Sequence, residues 1–440
     1  MAIYNAIMSF TNWMWGLPIL ILLIGGGLWI TAACDFVQVK HLGRALKHAI
    51  GDAMHGKKGE GHVSGFQAMT ACLANTIGTG NIVGVGSAIA LGGPGAVFWM
   101  WVVGFVAMAL KYSEAVLAVH TRVKDENGKW EGSAARYLSM VWKPLGPIWG
   151  IACVFAMAVA CGAHTGSVCT AAAQFHIPTI VTTLVVAAVV VLIVLRGVSM
   201  LVKITDALVP FMAVLYIGAG LIVILLNIRN LIPAIASIFA GAFTGTAATG
   251  GFVGATLAAA VRNGCARGVY SSDAGNGAAS ILHSQADTTE PVEQGMMGIF
   301  EVFADTIVIC TFTALVILTG QTWMTGDPGS VLAINSFTNS LGIVGQVISS
   351  LGLLLFALSS VLSMTGSIGL LAEDMFNKYV RYAASAVAIF SVIAGGTVGV
   401  DAFLSWVDVS NMILIVFNVT GVLLLSKTLR ELTLNYFKKA

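Results

Sequence analysis

The chain has 440 residues, 57% of them hydrophobic and 10% charged, with a net charge of +2 and a mean hydropathy of +0.89. Soluble domains carry about 25% charged residues, so this composition excludes a soluble protein and reads as an all-α polytopic membrane protein whose surroundings are the lipid bilayer. There is no basic, aromatic-laced patch for nucleic acid, and no HExxH, in-span GxSxG or GxxxxGK[ST] motif for an enzyme or an ATP-driven pump.

The first apolar run, "WMWGLPILILLIGGGLWITAAC", has no Lys or Arg before Lys40. It therefore lacks the positive start of a signal peptide and reads as a membrane helix. Ten more runs follow, predicting eleven spans near 14–36, 65–91, 96–119, 146–173, 177–195, 204–227, 231–261, 296–320, 343–372, 383–400 and 404–426. Alternate connections then hold 21 of the 22 Lys and Arg, leaving only Arg229 on the other side. By the positive-inside rule the N-terminus is expected outside and the C-terminus in the cytoplasm, with the chain in the plasma (inner) membrane. The seven Cys lie mostly within apolar runs, are odd in number and lack metal spacing, so they read as free buried thiols.

The second and seventh spans contain breaks. The second carries "NTIGTGN" at 75–81; the seventh carries "GAFTGTAATGGFVGATLAAA" at 241–260. Each Gly costs a helix about 1 kcal/mol against Ala, and an opened backbone inside a bilayer persists only where protein or a water cavity covers it. Small residues alone would fit close helix packing, but Asn and Thr among the Gly would not. One broken span in each half predicts a five-plus-five inverted repeat: an extra helix at 14–36, one unit at 65–227 and a second at 231–426.

Such breaks bind ions and zwitterions without buried protein charge. Half-helix N-termini receive a carboxylate, and freed carbonyls and hydroxyls receive an ammonium group or sodium. Oxygen ligands are dense at Asn75, Thr76, Thr79 and Asn81, and again at Ser359 and Ser360. No Lys or Arg is expected deep in a span. Asp305 is the deepest acid; Asp206 and Glu114 read as interfacial; Asp401 and Asp408 flank the start of the eleventh span, with Asn411 one turn further on. Each acid is a candidate for coupling or for a structural bond. His164, mid-way along the fourth span, is a candidate substrate ligand or proton site.

These residues carry a family resemblance. "TIGTGNIVGVGSAIALGGPGAVFWMWV", "ARGVYSSDAGNGAASILHSQADTTEPVEQG" and "VFADTIVICTFTALVILTG" resemble the alanine or glycine:cation symporters, with "LVPFMAVLYI" and "WVDVSNMILIVFN" matching in pattern. The resemblance spans nearly the whole chain. It implies a secondary transporter importing a small neutral amino acid with sodium as coupling ion and no cofactor, on the architecture of the neurotransmitter:sodium symporters. A proton-coupled or uncoupled carrier of the same fold is the alternative.

The resemblance also implies ligands. The carbonyls of Ala74 and Ile77 with the hydroxyls of Ser359 and Ser360 would hold sodium. Gly78, Thr79 and Gly80 would meet the substrate carboxylate, with Asn81 and Thr76 beside them, and Thr244, Gly245, Gly250 and Gly251 would line the other wall. The family's Gly-Asn-Met-x-Gln is replaced by residues 163–167, placing His164 and Ser167 at its polar positions. Its Gly-Trp-Ser-Tyr-Tyr-Gly-Glu is replaced by residues 363–369, placing Met364 at an aromatic position. The ion-side features persist while the substrate-side features change, which implies a wider pocket and a substrate other than alanine or glycine, a larger neutral amino acid being one candidate.

Overall fold

A computed structural model of the chain describes residues 2–55, 63–124, 128–196, 198–244 and 257–439. The side chains of Asp206, Thr244 and Asp401, and all of residues 245–256, lie outside the described set. The chain is an all-α membrane protein. Among the described residues, a two-stranded ribbon pairing Val123–Lys124 with Trp130–Glu131 is the one sheet.

Among the described residues, eight helices are long and apolar enough to cross a bilayer. The first span adds a ninth: Ile3–Met14 and Leu17–Ala33 meet at 42°, with Gly16 at the bend and Pro18 opening the second piece. Local chemistry starts several of these helices. Ser64 and Gln67 form a reciprocal capping box before Gly65–Thr76. Pro291 occupies the first turn of Pro291–Thr319, and the Asn377 side chain caps Lys378–Val398.

The second span is broken, Gly65–Thr76 giving way to Gly80–Gly92. The seventh opens, among the described residues, at 273–279, beyond the glycine-rich 245–256, which lie outside the described set. Helix Leu231–Thr244 starts beside the end of the eighth span, where Asn230 Nδ2 donates to Thr319 O at 2.8 Å. It finishes beside the start of the third, where Trp99 Nε1 donates to Ala242 O at 3.2 Å. Both are at the same end of the bundle, so this helix lies across that end. The crossing segment is instead 257–286. It starts with Leu257–Ser272, whose Ala259 and Ala260 sit against Gly92. It opens at 273–279, where Asp273, Gly275 and Gly277 have φ of +48°, +88° and +84°, and resumes as Ser280–His283. At the far end Val63 bridges Ala286, and Arg122 Nη1 donates to Ser284 O at 2.7 Å. The span count remains eleven.

This shift changes where charge lies. Arg262 and Arg267, expected in a basic connection, belong to the crossing helix Leu257–Ser272. Lys111 sits inside Gly95–Thr121 and is fully buried, so the expectation of no deep Lys or Arg is overturned. Glu114, expected at an interface, is likewise fully buried. Its Oε1 accepts from Gly275 N at 2.8 Å, Gly277 N at 3.2 Å and Asn418 Nδ2 at 2.7 Å. Eighteen of the 22 basic residues still fall in the alternate connections.

Lys111 Nζ pairs with Glu301 Oε1 at 3.1 Å, and the other Glu301 oxygen meets His283 Nε2 at 3.0 Å. Removing one partner of a buried pair leaves an uncompensated charge, at a cost of about 3–5 kcal/mol, whereas removing both is milder. Lys111→Met should therefore lower the thermal midpoint in detergent strongly, and Lys111→Met with Glu301→Gln should recover part of the loss.

Candidate functional site

The knot at 75–81 begins as a helix that loses its partners. The Gly78 amide, which in a continuous helix would donate to Ala74 O, donates instead to Asn81 Oδ1 at 2.8 Å. The Ala74 carbonyl is thereby released from its usual bond. Ile77 ends the first half with ψ of +92°, and the second half opens with a wide π-type turn at Gly80–Gly84, a form frequent at functional sites. Gly78 is required by close approach: a Cβ there would lie 2.2 Å from Ser360 Oγ and 3.2 Å from His164 Cε1.

The opened part of the seventh span faces this knot. Asn75 Nδ2 donates to Asp273 Oδ2 at 2.8 Å. Asn81 Nδ2 donates to Ser271 Oγ at 3.1 Å and to Asp305 Oδ1 at 2.7 Å. Ser271 Oγ and Thr306 Oγ1 in turn donate to Asp305 Oδ2 at 2.6 and 2.7 Å. Asp305 sits in a second π-type turn, Phe303–Ile309. Asn276 Nδ2 donates to Asp273 Oδ1 at 3.1 Å and reaches Asn411 Oδ1 at 3.4 Å.

The ninth span completes the wall. Ser363 Oγ donates to Ala71 O at 2.8 Å, holding Ile343–Met375 along the first half of the second span. Ser359 and Ser360 are buried and each donates to Phe356 O, at 2.8 and 3.1 Å. From the fourth span, His164 Nδ1 meets Thr79 Oγ1 at 2.7 Å. Thr76 bonds back to Cys72 O at 3.3 Å and Ser167 to Ala163 O at 3.2 Å, while Met364 is buried in the apolar core around the fourth and ninth spans. Asp408 is engaged by Arg267, whose Nη2 reaches Oδ1 and Oδ2 at 2.6 and 2.5 Å.

Thus Gly78, Thr79, Asn81, His164, Ser360 and Asp305 come together. Thr244 is described by its backbone alone. It ends the helix lying across one end of the bundle, next to Phe243, which packs on Phe98 at 4.9 Å. Gly245, Gly250 and Gly251 lie outside the described residues. The facing wall is Ser271, Asp273 and Asn276, residues read from sequence as a cytoplasmic connection. Their signal was "SSDAGNG", polar residues among glycines between "ARGVY" and "AASIL", the same pattern as "NTIGTGN". Two arginines nearby hid it.

The sequence pattern of the sodium:alanine symporter family matches residues 1–440. The chain belongs to this family. Its relatives include the sodium/alanine symporter AgcS of Methanococcus maripaludis, 39% identical over 373 residues, covering 82% of this chain and 80% of that protein. The uncharacterized transporter YflA of Bacillus subtilis is 36% identical over 436 residues, covering 97% and 92%. A manganese transporter from Eremococcus coleocola aligns with a TM-score of 0.55 over 84% of each chain at 14% identity, a likeness of fold alone. The protein is an integral membrane, cation-coupled amino-acid transporter, and the family's members are transporters rather than enzymes.

The contact between Gly78 and Ser360 gives a direct test. Gly78→Ala should lower initial uptake rates at least tenfold while the amount of protein reaching the membrane, measured by surface labelling, stays near wild type.

Proposed function

We propose that this transporter couples sodium to the import of a small neutral amino acid, of alanine or glycine size or somewhat larger, by alternating access across the plasma membrane. The observation carrying this reading is the meeting of the opened backbone at 75–81 with the stretch 271–277, where the crossing helix ends and opens, through Asn75 to Asp273 and Asn81 to Ser271. A zwitterion suits such a site: its carboxylate is received by the amides of Thr79 and Gly80 beside Gly78, whose own amide Asn81 holds, and its ammonium by carbonyls such as that of Thr76.

Sodium would be held by the carbonyls of Ala74 and Ile77 and the hydroxyls of Ser359 and Ser360. Both hydroxyls spend their hydrogens on Phe356 O, which leaves oxygen lone pairs for a hard cation. The ion would then bridge the second and ninth spans and hold the knot in its substrate-receiving shape. The two five-span units at 65–227 and 231–426 supply the bundles that rock. Short helices in equivalent connections, Ala134–Val141 after the third span and Gly329–Leu341 after the eighth, support that division. The basic connections support a cytoplasmic C-terminus and an external N-terminus.

Asp305 favours a second reading, a proton-coupled carrier. Its carboxylate is buried and accepts only from neutral donors, with no Lys or Arg against it among the described residues. Uptake measured with and without sodium across a pH series separates the two. Sodium coupling predicts uptake that needs sodium at every pH; uptake driven by acid outside without sodium supports the alternative. Ser359→Ala with Ser360→Ala should raise the sodium concentration for half-maximal uptake at least tenfold, with normal insertion into the membrane. An unchanged sodium dependence would place the ion elsewhere.

A further inference from the structure

We propose that His164, Tyr270 and Arg267 form the substrate's side-chain subsite and select a neutral amino acid whose side chain hydrogen-bonds, a carboxamide or hydroxyl rather than a hydrocarbon. The proposal rests on the reading of 75–81 as the place where the amino acid's own carboxylate and ammonium are held.

The three residues form a row leading away from that place. His164 touches the knot through Thr79 Oγ1 at 2.7 Å. Its ring lies parallel to that of Tyr270, centroids 6.1 Å apart and planes 20° from each other. The Arg267 guanidinium carbon sits 5.7 Å from the centre of the Tyr270 ring. All three side chains are more than nine-tenths buried, at 2%, 5% and 6% exposure.

Each also carries polar atoms that nothing among the described residues satisfies: His164 Nε2, Tyr270 OH, and Arg267 Nε and Nη1. An unsatisfied buried donor or acceptor costs about 1–3 kcal/mol, and native proteins hold few of them without cause. Four such atoms on three residues in one row, beginning at the substrate site, are accounted for together by a bound polar side chain.

The chemistry of the row selects the class. Tyr270 OH and the Arg267 N–H groups donate. His164 Nε2 accepts when Nδ1 carries the proton towards Thr79, and donates in the other tautomer. A carboxamide supplies an acceptor and a donor at once, and a hydroxyl does the same from one atom. The Arg267 charge is already matched by Asp408 through Nη2, so an acidic side chain would bring a second negative charge to a balanced pair. A hydrocarbon would leave all of these atoms unpaired, and sites built to hydrogen-bond discriminate strongly against analogues that cannot.

The test uses the purified full-length protein in detergent with sodium, titrated with near-isosteric pairs: serine against 2-aminobutyrate, threonine against valine, asparagine against leucine. Affinities are read from ligand-induced thermal stabilisation. The polar member should bind at least tenfold tighter in one or more pairs. Tyr270→Phe should cut that preference at least fivefold while changing the apolar member's affinity by less than twofold. Where Tyr270→Phe gives no folded protein, the wild-type ratio decides. Equal or tighter binding of the apolar member in every pair overturns the proposal, as it would if water alone filled the row. A polar preference untouched by Tyr270→Phe overturns the assignment to this row. Binding of no amino acid, with or without sodium, overturns the proposed function itself and this inference with it.

Discussion

An opened backbone inside a membrane has to be covered, because hydrocarbon offers its N–H and C=O groups no partner. The rest of this structure follows from how two opened stretches cover each other. Asn75 reaches Asp273, and Asn81 reaches Ser271 and Asp305. Behind the second break, Glu114 accepts the amides of Gly275 and Gly277, and Lys111 reaches Asp273 O at 3.4 Å. Asn418 Nδ2 donates to Gly275 O at 3.0 Å, and Trp149 Nε1 donates to Asn276 O at 2.9 Å. Residues from the second, third, fourth and eleventh spans thus converge on 273–279. Two buried charges, Lys111 and Glu114, thus serve as cover for the broken helix.

That arrangement suits a transporter because it is stable yet exchangeable. A side chain–backbone hydrogen bond contributes about 0.5–1.5 kcal/mol net, or 1.5–3 when one partner is charged. A cation or an amino acid that offers comparable bonds can replace some of these at modest cost. A ligand shifts a conformational equilibrium only by its difference in affinity for the two states. Coupling therefore requires that the ion and the amino acid both favour one shape of the knot. Gly78 is placed for this, with Ser360 on one side, His164 on the other, and its amide held by Asn81.

Much of this was legible in sequence. Eleven spans follow from apolar length and the alternation of basic connections, and the knot at 75–81 stands out because Asn and Thr interrupt an apolar run. The second break was misplaced for a physical reason. Glycine-rich "GAFTGTAATGG" looks like an opened helix, whereas "ARGVYSSDAGNG" looks like a loop because Arg262 and Arg267 flank it. Arg267 is tolerated within a span only because Asp408, 141 residues later, meets it. Lys111 likewise depends on Glu301, far along the chain. Single-sequence hydropathy charges each residue separately for burial and cannot see a partner that arrives through folding. Asp273 and Glu114 were hidden in the same way: Asp273 accepts from the side chains of Asn75 and Asn276, and Glu114 from the amides of Gly275 and Gly277 and the side chain of Asn418.

The central claim is that 75–81 and 271–277 act as one site. A double-mutant cycle on Asn75→Ala and Asp273→Ala tests it, read as the initial rate of sodium-driven amino-acid uptake in proteoliposomes with equal amounts of inserted protein. Each single change is predicted to lower the rate at least tenfold, and the pair together to be no worse than the weaker single variant, because both remove the same contact. Losses that multiply, as expected of independent positions, would contradict the account.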